Sequence, residues 1–167
     1  MNYLIRKAKV SDIKELSILK RNIWETTYRG IYSDDKIDNY SYSDNEKKFL
    51  NIISNKNIDF FVVVDKEKIV GYMTCGEPIR KYMDYEQEIG LLYLLKDYQG
   101  IGIGRKLFEL AYNIIKNKGY NRFFISCNKF NIDAQLFYIK MGGKCIEIDE
   151  DYEDKSYSQV KFHYDIV

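Results

Sequence analysis

A mixed α/β fold, built on a mostly antiparallel seven-stranded sheet with helices on both faces, is the architecture this sequence predicts. Three features predict it. The run from Glu88 through Ile89-Gly90-Leu91-Leu92-Tyr93-Leu94-Leu95 is apolar on both alternating faces, as a strand covered on two sides must be. Apolar residues recur at helical spacing before it, at Ile13, Leu16, Leu19, Ile23 and Trp24, and after it, at Ile103, Leu107, Leu110, Ala111 and Ile114. Short runs rich in β-branched and aromatic residues, bounded by turn residues, fill the remaining chain.

Tyr3 to Lys7 reads as the first strand. Ser11 and Asp12 open the first helix, with Asp12 and Glu15 at capping-box spacing. After a break at Gly30, Ser43 and Glu46 repeat that spacing and open a helix bearing Phe49, Leu50 and Ile53. Asp59 to Val64 turns through Asp65-Lys66-Glu67 into Ile69 to Met73, an antiparallel hairpin whose end Pro78 marks. The central strand leads through a glycine loop into the helix from Ile103, which Lys118-Gly119 closes. Phe123 to Cys127 is a fifth strand, and Asn131 to Lys140 a short helix ended by Gly142-Gly143. Two last strands, near Lys144 to Ile148 and Val160 to Ile166, flank an acidic connection. The order β-α-α-β-β-β-α-β-α-β-β contains no linker or repeat, so residues 1–167 are expected to form one domain with one active site.

Composition excludes several classes of function. With 46% hydrophobic and 31% charged residues and a net charge of +1, the chain has no bulk attraction for nucleic acid or membrane. No apolar run reaches the roughly twenty residues of a membrane span, and the basic N-terminus lacks the apolar core of a signal peptide. Cys75, Cys127 and Cys145 form no CxxC pair and are odd in number, which fits a reducing, cytoplasmic setting. His163 is the only histidine, leaving almost no raw material for a zinc site or a histidine triad.

The chemistry begins at Tyr98-Gln99-Gly100-Ile101-Gly102-Ile103-Gly104-Arg105-Lys106, between a buried strand and an amphipathic helix. Glycines allow several backbone N–H groups to face one anion, and the helix N-terminus adds about half a positive charge. A diphosphate fits such a site. The loop is neither a dinucleotide-binding fingerprint, since the glycine due five positions after Gly100 is Arg105, nor a P-loop, since Gly104 precedes Arg105 and not Lys-Ser/Thr. A strand-to-helix turn without a ligand is the remaining alternative.

Gln99-Gly100-Ile101-Gly102-Ile103-Gly104 resembles the Gln/Arg-x-x-Gly-x-Gly/Ala motif of the GNAT acetyltransferase superfamily, whose loop holds the coenzyme A pyrophosphate. Glu88 to Leu94 resembles that family's splayed fourth strand, and Asn131 to Tyr138 with Gly142 resembles its second coenzyme-binding motif. Ile5-Arg6, Trp24 and Tyr28-Arg29-Gly30 are similar to a common bacterial subgroup, so the resemblance spans nearly the whole chain. Leu95-Lys96-Asp97 departs from it where many members carry a proline, leaving the strand end open.

The resemblance implies a sheet splayed between strands four and five, and acetyl transfer from acetyl-CoA to an amine without a metal. Tyr93, Leu94 and Leu95 would flank the pantetheine arm, the Leu94 N–H would polarise the thioester oxygen, and Gln99 to Arg105 would hold the diphosphate. Tyr138 occupies the family's place for the donor to the leaving sulfur. Glu88 stands where several relatives keep a carboxylate base, or is a solvated acid at a strand end. Asn131 is a coenzyme contact, a helix N-cap, or both. Trp24 and Tyr28, four apart on one helix face, either line the acceptor site or belong to the core.

The acidic stretch Glu147 to Asp154 is either a solvated loop or an attractor for a cationic acceptor such as a polyamine. The expected partner is a small-molecule amine, with the protein a monomer or homodimer. A protein N-terminus or lysine as acceptor, and a non-catalytic acyl-CoA-binding sensor, are the other readings.

Overall fold

The computed structural model describes residues 2–167. Seven strands, β1 (Tyr3–Lys7), β2 (Ile58–Asp65), β3 (Lys68–Gly76), β4 (Glu88–Leu94), β5 (Arg122–Asn128), β6 (Lys144–Asp149) and β7 (Gln159–Asp165), form one sheet in the order β1-β2-β3-β4-β5-β7-β6. All neighbours are antiparallel except β4 and β5. The expected mixed sheet is therefore present.

Two clusters fill its two faces. On one, Ile103, Leu107, Ala111 and Ile115 of α4 (Ile103–Asn117) pack with Ile89, Phe123, Ile125 and Phe162, joined by Tyr138 of α5 (Ile132–Lys140). On the other, Leu16, Leu19 and Ile23 of α1 (Ile13–Ile23) and Phe49 of α3 (Tyr42–Ser54) cover Phe60, Val62 and Tyr72. The apolar stripes read from the sequence are the buried faces of these helices, because burial of one stripe is what makes a helix of this length stable.

Both expected capping boxes are displaced. Asp12 makes no side-chain cap on α1; it accepts from both terminal nitrogens of Arg6, at 2.8 and 2.9 Å, and from the Lys9 N–H at 2.7 Å, closing the 3-10 turn Val10–Asp12. Glu15, its supposed reciprocal partner, reaches across to the Ile69 N–H at 2.6 Å beside the bulge at Val63/Val64. The α3 cap is Ser41, whose Oγ accepts from Asp44, in place of Ser43. In each case the residue types were right and a closer or longer-range donor won.

Two elements add to the expected order. Trp24–Tyr28 continues α1 as a π-helical turn, and Asp34–Asp38 forms a short α2. Arg29 ties them together, donating to Glu25 (2.6 Å), Asp34 (3.0 Å) and Asp38 (2.8 Å). The β2–β3 turn places Lys66 and Glu67 at φ 47° and 67°, a two-residue hairpin loop without the customary glycine or asparagine.

Between α1 and α3, the Lys20 ammonium donates to Asn45 Oδ1 at 2.7 Å and lies 5.5 and 5.7 Å from the ring centroids of Trp24 and Phe49. Burial, with a smaller push from Lys48, lowers its pKa to about 8. An unfolded lysine titrates near 10.4, so above pH 8 the folded chain releases this proton while the unfolded chain keeps it. Stability should therefore rise between pH 8 and about 10.4 through this group. Urea titrations of wild type and Lys20→Met across that range check it: the difference between the two curves should grow with pH, and a constant difference would refute the shift.

Candidate functional site

The site originates in a failure of two strands to stay paired. β4 and β5 pair only at Glu88–Phe124 and Ile89–Ile125, and beyond them they part. Gly90 stands at the parting. Opposite it the β3 register shifts between Thr74 and Cys75, and Thr74 Oγ1 takes the Leu91 N–H at 2.9 Å. A Cβ on Gly90 would lie 2.9 Å from Ile79 Cδ1 and 3.0 Å from Thr74 Oγ1, so a side chain there would push on both neighbours.

Beyond the bulge the Leu95 N–H bonds Val70 of β3, at 2.9 Å. Strand alternation then turns the Leu94 N–H, and that of Leu92, toward the opening. Gln99 Nε2 donates to the Leu94 carbonyl at 3.0 Å, fixing the strand end next to the glycine loop.

The opening is a cavity of about 720 Å³. In its wall Gly100 and Gly102 adopt φ 73° and 92°, and Gly102 is the N-cap of α4. A Cβ at either would meet nothing within 4 Å, so the backbone presents an open cradle at a fifteen-residue helix N-terminus. Lys96, Arg105 and Lys140 line the same cavity, giving three cations against the one carboxylate of Asp133. Such a surface suits a polyphosphate.

Tyr138 is buried, 5% exposed, and lines the same cavity, as does Cys127 of β5. Burial holds its phenol far above the ordinary value, hence protonated at neutral pH. Tyr28, on the π-helical turn, is stacked on Tyr32 at 4.5 Å; burial raises its pKa against the opposing pull of the neighbouring Asn131 and Tyr93. Asn131 Oδ1 also accepts from the Ala134 N–H at 3.2 Å, so it is the α5 N-cap while facing the cavity. Burial pushes the Cys127 thiol up to about 12.

Glu88 does not line the cavity, but its Oε2 lies 3.3 Å from the position of a Gly90 Cβ and accepts the Ile79 N–H at 2.9 Å. It is not a solvated acid: it is 7% exposed, and burial raises its pKa to about 7 against the opposing pull of that hydrogen bond, Arg80 and Lys161.

Of the residues singled out in the sequence, the cavity gathers Tyr28, Tyr93, Leu94, Gln99, Gly100, Gly102, Gly104, Arg105, Asn131 and Tyr138. It does not gather Glu88, nor four others. The Ile103 side chain is fully buried under α4, Leu95 packs into the core, Ile101 is half-exposed beside the loop, and Trp24 packs edge-on against Tyr32 and Tyr40, each at 5.1 Å. Motif membership fixes the backbone of such residues and says little about the direction of their side chains. Thr26, Thr27, Ser126, Cys127 and Lys140 line the cavity without having been foreseen. Only Ser126 and Cys127 carried a signal, as the strand facing the parting.

The acidic stretch is the end of β6 followed by a folded loop. Asp151 Oδ1 accepts from the Glu153 and Asp154 N–H groups, Asp154 caps Ser156, and Glu150 pairs with Lys129. Glu147 is 3.3 Å from Lys161. These carboxylates are largely engaged within the loop and its neighbours.

The sequence pattern of the acetyltransferase (GNAT) family matches residues 21–142. A spermidine N(1)-acetyltransferase of Thermoplasma acidophilum is 30% identical over 156 residues, 89% of this chain and 92% of that protein. The crystal structure of a PaiA N-acetyltransferase from Thermoplasma acidophilum, in complex with coenzyme A, superposes with a TM-score of 0.78 at 28% identity, over 98% of this chain and 100% of that one. An N-acetyltransferase from Staphylococcus aureus Mu50, 17% identical over 100% of both chains, shares the fold with a TM-score of 0.75.

The cysteines offer a check on this geometry. Cys145 is exposed on β6, whereas Cys75 and Cys127 are buried with thiols near 12. Iodoacetamide at pH 8 should add one group, at Cys145, with the others reacting only in denaturant. Rapid labelling of Cys127, read by peptide mass spectrometry, would contradict a protonated thiol in the cavity wall.

Proposed function

This chain is an N-acetyltransferase of the acetyltransferase (GNAT) family, and from that premise we propose that it transfers acetyl from acetyl-CoA to the primary amine of a small molecule, by direct attack in a ternary complex. The observation that carries the reading is one cavity lined both by a cationic glycine cradle and by a protonated tyrosine. The likeness to a coenzyme A complex and to a spermidine acetyltransferase supports the cosubstrate and the class of acceptor.

The residues divide the work as follows. Backbone donors of Gly100 to Gly104, the α4 N-terminus and Arg105 bind the diphosphate, and Lys96 and Lys140 add charge at the rim. The parted edge of β4 offers the pantetheine arm a strand to lie along. The Leu94 N–H, turned into the opening, donates to the thioester oxygen as negative charge grows on it.

A lysine-like amine is protonated at neutral pH, and removing its proton costs about 4 to 5 kcal/mol. Glu88, with a pKa of about 7, is matched to accept that proton directly or through one water at Gly90. Tyr138 gives its hydroxyl proton to the departing sulfur. Cys127 has the position for a covalent acetyl intermediate but not the ionisation, since a thiol near 12 supplies almost no thiolate at pH 7. Direct attack follows.

A panel of primary amines assayed for thiol release from acetyl-CoA tests the proposal, and no release with any amine would count against it. With an acceptor in hand, Tyr138→Phe should lower kcat about a hundredfold with coenzyme A affinity unchanged. An unaltered kcat with chemistry rate-limiting would remove Tyr138 from the mechanism. Glu88 acts as base only when ionised, so kcat/KM should rise with pH through about 7. Glu88→Gln should abolish that limb and cost about a hundred- to ten-thousandfold.

A further inference from the structure

Glu88 opens β4, yet the donor that holds its carboxylate belongs to neither of the parted strands. It comes from residues 77–87, the segment joining β3 to β4, which folds over Phe124 on the sheet face opposite α4.

The segment is anchored at both ends. At its start the Glu77 N–H donates to the Asn57 carbonyl at 3.0 Å, and Asn55 Nδ2 donates to Glu77 Oε2 at 3.1 Å. Toward its end Tyr82 and Tyr85 stack 5.8 Å apart and pack on Phe124, with centroids at 5.2 and 5.1 Å. The Tyr85 hydroxyl is 2.7 Å from His163 Nδ1, and Arg122 lies 4.9 Å over the Tyr85 ring while donating to Asp84 at 2.6 Å. Between these anchors Ile79 makes one polar link, its N–H to Glu88 Oε2, and its Cδ1 closes over the bulge at Gly90.

We propose that Ile79 is a positioning residue for the reaction: held by the anchored segment, it excludes water from the Glu88 carboxyl and fixes Oε2 at the cavity edge beside Gly90. The inference rests on the reading of Glu88 as the base. The charged groups acting on that carboxyl are Arg80 of the segment and Lys161 of β7, both of which favour ionisation; Thr74 of β3 and Gly90 add no charge. Burial nevertheless outweighs both cations and the Ile79 N–H together. What supplies the burial therefore controls the base, and Ile79, 41% exposed on its outer side with Cδ1 turned in over Gly90 beside Oε2, is the exchangeable part of it. The Tyr85–His163 contact, on the far side of the segment, makes no contact with the Glu88 carboxyl and acts on it through the segment that holds Ile79 and through Phe124, the strand partner of Glu88.

The experiment separates the cover from the chemistry. In the full chain with ¹³C-labelled glutamate, the Glu88 carboxyl resonance is assigned by its loss in Glu88→Gln and titrated directly. Ile79→Ala should move its midpoint down by about one pH unit. Ile79→Leu should restore it, and Tyr85→Phe should shift it the same way by less. The acid limb of kcat/KM should follow the carboxyl in each variant, with KM for acetyl-CoA unchanged. A midpoint that stays put in both Ile79→Ala and Tyr85→Phe, with both proteins folded by their melting curves, overturns the proposal. A midpoint that moves while the limb does not overturns the Glu88 base reading, and with it the catalytic meaning of the cover.

Discussion

Everything in this protein that bears on chemistry depends on β4 and β5 holding together for two residue pairs and then letting go. Parallel strands that stayed paired would satisfy each other's backbone groups and leave a solid sheet. Parting leaves main-chain donors of β4 facing a cavity, where they are free to recognise a ligand. Gly90 stands at the parting, where a side chain would crowd Ile79 and Thr74. One residue thus borders the bulge, the wall of the cavity and the seat of Glu88.

Two opposite electrostatic environments meet in that cavity. The glycine cradle gathers positive charge from backbone dipoles and three basic side chains. A few residues away Tyr28, Tyr93 and Tyr138 line a desolvated wall in which ionisation of any phenol is penalised. The first environment suits an anionic carrier, and the second keeps protons in place until a reacting group needs them. The neighbourhood is built by burial more than by ion pairs, which is why its donors respond to packing.

Strands, helices and their order were legible because each element buries one face, and burial leaves a periodic trace in sequence. The glycine loop was legible for a different reason, as glycines at a strand-to-helix junction have few structural alternatives. What stayed hidden depended on contacts between distant residues. Glu15 bonds Ile69 and Asp12 bonds Arg6, so local spacing suggested caps that tertiary partners took over. The Trp24–Tyr28 turn, which brings Tyr28 to Asn131, has no signature because a π-helical turn is set by what it packs against. Gly90 looked like one more member of an apolar run. Its meaning appears only when Ile79 and Thr74 stand beside it.

The two-pair junction also bears on how the molecule holds its shape. Strands β1 to β4 form one antiparallel ladder and β5, β7 and β6 another, and between them the sheet is welded at Glu88–Phe124 and Ile89–Ile125 alone. Each ladder has its own dense backbone bonding, while the weld relies on α4 and α5 lying across it. In cooperative terms the sheet is two blocks with a seam, and openings confined to the seam cost less than unfolding either block. The parting that creates a place for chemistry is therefore also the line along which the sheet yields first.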